Sequence, residues 1–122
     1  MITTKTFRRI ALGMDGASEG VHMGHPDFRA HGRIFASIQS AERGMVKLTP
    51  DQQGAFVAGD SQSFVPESGA WGRQGYTRVM FATVDDESLG EAMTLAWRNS
   101  AAARPAKAKR PKARPGKADR TS

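Results

Sequence analysis

Three groups of residues in this chain carry side chains capable of chemistry. His22 and His25 stand in a His-x-x-His spacing with Asp27 and His31 close by, and imidazole with carboxylate is a donor set that zinc accepts. On a strand, however, residues i and i+3 point to opposite faces, and Gly24 and Pro26 mark a tight turn. The expected role of His22 and His25 is therefore hydrogen bonding within the sheet and turn, with no metal and no cofactor. A second group is Trp71-Gly72-Arg73-Gln74-Gly75-Tyr76-Thr77-Arg78. Aromatics interleaved with arginines can stack on bases and contact phosphates. The plainer alternative is that Trp71 folds over a sheet edge, the glycines make a turn, and Arg73 and Arg78 face solvent. Lys47, Arg73, Tyr76 and Arg78 are the candidate nucleic-acid contacts within the folded part.

The third group is a charge run. Residues 101–122 hold Arg104, Lys107, Lys109, Arg110, Lys112, Arg114, Lys117 and Arg120 against one acid, Asp119, a net +7. The first hundred residues hold ten basic and eleven acidic residues, a net −1. The overall +6 is thus a property of the tail. Its remaining residues are Ala, Pro, Gly and a final Thr-Ser, too little apolar area to offset the entropy of ordering. Pro105, Pro111 and Pro115 interrupt any helix. A disordered tail of this kind would reach roughly 70 Å when extended. The Lys/Ala/Pro composition is similar to the tails of linker histones and bacterial histone-like proteins. It implies sequence-independent phosphate neutralisation, all eight cations being candidate contacts.

Other function classes find little support. With no cysteine in the chain, a disulfide scaffold, a thiolate zinc site and a cysteine nucleophile are excluded. There is no Gly-x-Ser-x-Gly elbow, no Walker loop and no dinucleotide fingerprint. An unrecognised enzyme would be sought at His22, His25, Glu19 and Arg33. No apolar run approaches the roughly 20 residues that span a bilayer, and no apolar segment follows the basic start. The expected location is cytoplasmic, associated with the nucleoid if DNA is bound.

The elements that must position these groups are legible in outline. Phe7, Ile10, Ala11 and Met14 follow a helical repeat, with Thr3 or Thr4 available as cap and Gly13 and Gly16 beyond. Val21–Met23, Asp27–Arg29, Arg33–Ile38 and Met45–Leu48 read as strands of an antiparallel meander. Thr49-Pro50-Asp51-Gln52 combines a cap, a proline at the first helical position and a capping-box glutamine, opening a helix that stops at Gly59. Residues 60–76 read as a loop, Thr77–Val84 as a strand, and Asp85 as the cap of a last helix that buries Leu89, Met93, Ala96 and Trp97. The expectation is α+β, an antiparallel sheet of about five strands with three helices, over residues 1–100.

Several pieces together resemble the MmcQ/YjbR family of small bacterial proteins. They are Phe7 to Leu12, Glu19 to Arg29 with its Gly-His-Pro-x-Phe-Arg piece, Gly32 to Ala36, Lys47 to Gln53, Pro66 to Val79 with Trp-Gly-Arg-x-Gly-Tyr-Thr, and Ala96 to Arg98. The resemblance covers roughly residues 5–100. It implies a double wing of β-hairpins, related in outline to the frataxin-like arrangement, and a DNA-binding role. The leading expectation is non-enzymatic nucleic-acid binding, DNA in preference to RNA, by a monomer that does not use a membrane. A protein-interaction or small-ligand module with an incidental tail is the alternative, and an uncharacterised enzyme the third.

Overall fold

The computed structural model describes residues 2–102, and the basic run from Arg104 to Arg120 lies outside the described residues. Helix α1 (Thr4–Leu12) is capped by the Thr3 hydroxyl, which accepts from the Thr6 N–H. It buries Phe7 and Ala11, the face its spacing predicts. Four strands follow as a meander, β1 (Ser18–His22), β2 (His25–Ala30), β3 (Arg33–Ile38) and β4 (Arg43–Lys47). The two-residue turns between β1 and β2 and between β2 and β3 have positive φ at both positions, Met23 and Gly24, then His31 and Gly32. That is the primed geometry whose twist matches paired strands.

Helix α2 (Pro50–Gly59) begins with the complete capping box. The Gln52 N–H donates to Thr49 Oγ1 at 3.2 Å, and the Thr49 N–H donates to Gln52 Oε1 at 3.0 Å. After it come β5 (Phe64–Pro66), α3 (Gly69–Arg73), β6 (Tyr76–Met80) and α4 (Asp86–Ala102). The α+β class stands, the described residues forming six antiparallel strands in the order β1-β2-β3-β4-β6-β5 and four helices. Both added elements lie in the stretch read as loop. β5 is three residues long and ends in proline, tolerated because it is an edge strand with no neighbour beyond it. α3 is a single short turn of helix with a glycine at each of two positions, too brief for any periodicity.

Helices α1 and α4 pack on one sheet face, and α2 packs along β5. That face contributes Phe28, Ala36, Val46, Val79 and Phe64 to a core completed by Phe7, Phe81, Leu89, Met93 and Ala96. Trp97 is partly buried against it and donates its indole N–H to the Asp15 carbonyl at 2.8 Å. The register puts Asp27, Ser37, Met45, Arg78 and Val65 in one transverse row on the opposite face. No described helix is long and apolar enough to cross a membrane.

Candidate functional site

The open face of the sheet is hollowed into a groove of about 440 Å³. Its walls are the β1–β2 hairpin on one side and Trp71 with Tyr76 on the other, and Met45, only 8% exposed, lies between them. Such volumes lie within the range of small-molecule sites, about 300–1,000 Å³.

The aromatic wall is a built feature. Trp71 and Tyr76 pack with ring centroids 4.9 Å apart at 48°, and Lys47 holds its ammonium 4.9 Å from the Tyr76 centroid. A cation over the face of a ring is attracted by the ring quadrupole. Trp71 is nonetheless 59% exposed, so its outer surface is available. It rides on α3 and packs on Tyr76, the first residue of β6, which accounts for part of its surface only.

Three residues fix that wall. Gln53 Nε2, on α2, donates toward the carbonyls of Gly72 (3.1 Å) and Tyr76 (3.0 Å) and the hydroxyl of Thr77 (3.2 Å). Gly72 is packed so closely that a Cβ there would collide with the Glu67 carbonyl. Gly75 has φ +107° and would drive a Cβ into the Leu48 carbonyl. The two glycines are therefore demanded by the approach of neighbouring backbone, beyond the turn that the sequence suggests. Asn99 of α4 donates to the Lys47 carbonyl at 3.0 Å and ties the end of β4 to the helical layer.

Polar groups in the groove are mostly paired. Asp27, 2% exposed, accepts from Arg29 through Nε (2.8 Å) and Nη2 (3.1 Å). Hydrogen bonding to Asp27, and then its charge, raises the Arg29 pKa above its ordinary value. Glu67 accepts from Gln39 Nε2 at 2.6 Å and from Arg78 Nε at 2.9 Å. Arg78 also reaches the Ser68 hydroxyl at 3.3 Å. Arg78 is thus a neutralised, part-buried cation, where the sequence suggests one facing solvent. Arg73 is exposed as expected, and Lys47 enters no ion pair among the described residues. One buried side-chain oxygen in the described residues has no partner: Gln39 Oε1.

The histidines are arranged differently from the strand-alternation argument. A two-residue turn makes His22 and His25 directly opposed cross-strand neighbours, so they share a face and both line the groove. Both are exposed, and neither ring makes the hydrogen bonds expected of it within the described residues. His31 is elsewhere, its Nδ1 2.8 Å from Ser100 Oγ and its ring 5.4 Å from Trp97. Among the described residues no group of three His, Cys, Asp or Glu is gathered for a metal. Ser100 donates its hydroxyl to the Trp97 carbonyl, so it accepts from His31 and is turned the wrong way for an activated nucleophile. Glu19 is engaged by Arg8 at 3.0 Å.

Lys47, Tyr76 and Trp71, candidates from the sequence, do meet. Asp27 was weighed only as a metal donor, and Gln39, Glu67 and Gln53 were not expected there, since isolated polar residues just past a strand or on a helix carry no periodic signal. A signal for Gln53 was present only in its place one turn into a strongly capped helix.

The chain matches the YjbR family over residues 12–99. None of the curated proteins is matched by it. Among solved structures it is similar to the crystal structure of Deinococcus radiodurans protein DR2400, described with a DUF419 domain. The identity is 20%, covering 80% of this chain and 77% of that one, with a TM-score of 0.67. At that identity the likeness concerns the fold.

Proposed function

This chain belongs to the YjbR family, and on that premise we propose that it is a non-enzymatic nucleic-acid-binding protein, for DNA in preference to RNA. The observation that carries the reading is the Trp71–Tyr76 pair with Lys47 over the Tyr76 ring, on a sheet face that no described helix covers. Exposed aromatics beside a cation form a stacking platform for bases, and every base has a face to offer. Arg73, exposed on the same short helix, is a further phosphate contact. The near-neutral first hundred residues cannot supply much phosphate affinity, so the tail's eight cations do.

Fluorescence anisotropy of labelled DNA with the full chain, and with a chain ending at residue 102, tests this. The full chain should give a slope of log affinity against log salt steeper than about −5, if most of the eight cations engage phosphate. The shortened chain should bind weakly with a shallow slope. Failure of the full chain to bind DNA or RNA at low salt would remove the proposal.

The small-ligand reading also has an observation in its favour, the groove with the Gln39 oxygen that lacks a partner among the described residues.

A further inference from the structure

The groove and the aromatic wall are parts of one surface, and one ligand satisfies both. We infer that the groove on the open sheet face receives a single unpaired nucleobase of a single-stranded nucleic acid. Its ring lies against Trp71 and Tyr76, an N–H on its edge donates to Gln39 Oε1, and its phosphate lies toward Lys47. This rests on the nucleic-acid reading and specifies what that surface recognises.

The orphan oxygen decides the chemistry. Gln39 Nε2 is committed to Glu67 at 2.6 Å, and Glu67 is fixed from its other side by Arg78 at 2.9 Å. Turning the amide over would set its oxygen against a carboxylate oxygen, so Oε1 is held as the unsatisfied atom. A buried acceptor without a partner is costly, and native structures fill such positions. The filling group must be a donor. An aliphatic ligand satisfies Met45 but not Gln39, and an inorganic anion satisfies neither. A flat heterocycle carrying N–H matches the aromatic wall, Met45 and the amide oxygen together.

Charge limits the choice further. Asp27 and Glu67 are already matched by Arg29 and Arg78, which leaves Lys47 as the unpaired cation of the groove among the described residues. A lone positive charge at the rim suits one phosphate. In a duplex the Watson–Crick edges are occupied and the bases stacked, so only an unpaired base can enter. Single strands present bases in this way.

The test compares two strands of equal length and phosphate count, one of cytidines and one in which the bases are replaced by abasic sites. Each is bound by the full chain, by Trp71→Ala and by Gln39→Leu, with circular dichroism to confirm that each variant is folded. Stacking on one aromatic site should make the base-bearing strand bind about five- to 150-fold more tightly than the abasic one. That ratio should fall toward one in Trp71→Ala and fall in part in Gln39→Leu, while abasic affinity stays the same in all three. Equal affinity of the full chain for both strands would overturn the inference and leave the nucleic-acid reading standing. Absence of binding to either strand at low salt would overturn both. Cytidine monophosphate displacing the strand at a similar concentration would support the base site and make the free nucleotide its source.

Discussion

The two faces of one sheet obey different rules although the same strands supply both. On the helical side, Phe28, Ala36, Val46, Val79 and Phe64 alternate inward and are sealed by α1, α4 and α2. On the other side lie their neighbours Asp27, Ser37, Met45, Arg78 and Val65, the first three lining a groove that no described helix covers, with Trp71 of α3 at its wall. The first face is justified entirely by removing apolar area from water. The second holds ion pairs, a partnerless amide oxygen and a tryptophan largely in solvent, none of which a folding argument requires. The first face builds the molecule, and the second is the one on which the proposed nucleic-acid contact rests.

Substitutions should separate the two sharply. Phe28→Ala, on the sealed face with no exposure, should cost about 3–5 kcal/mol in chemical denaturation. A loss below about 1 kcal/mol would show that the core is not where the register places it. Gly75→Ala should cost about 1–3 kcal/mol, because a side chain there meets the Leu48 carbonyl in a left-handed backbone. It should also weaken DNA binding by displacing Tyr76, and unchanged binding would detach that turn from the site.

Trp71→Ala is the counterpart on the open face. Its stability change should remain within about 0.5 kcal/mol, since the ring is mostly exposed, while single-strand affinity falls. A large loss of stability would make Trp71 a structural residue.

The smallest effect belongs to neither face. Asp85 accepts from the Ser88 N–H, and that bond holds its carboxyl below the ordinary value. A depressed carboxyl stabilises the fold above its unfolded-state pKa and loses the contribution as pH falls through the folded one. The melting-temperature gap between the native chain and Asp85→Ala should therefore be full at neutral pH and shrink in acid below about pH 4. A gap independent of pH would assign the cap no charge component.

This contrast also explains what could be read from the sequence. Elements built for burial or capping announced themselves: Phe7 and Ala11 by spacing, Thr49 and Gln52 by the capping box, Arg33–Ile38 by its apolar run. The open face did not, because its residues follow no period. β5 hid behind Pro66, and α3 behind Gly69, which takes a positive φ, and Gly72, which the Glu67 carbonyl crowds. The His22–His25 pair was misassigned to opposite faces because alternation along one strand was carried across a two-residue turn, where pairing restores both to one side. Arg78 was expected in solvent because Glu67, eleven residues earlier, gives no sign in sequence of folding against it.

The most direct test of the open face as the binding face is a ¹⁵N chemical-shift titration of the full chain with a short single-stranded oligonucleotide. The largest perturbations are expected at the Met45 and Lys47 amides, the Trp71 indole N–H, the Tyr76 amide and the Gln39 side-chain amide, with the Trp97 indole unmoved. Perturbations confined to residues 103–122, or centred on α1 and α4, would contradict the account.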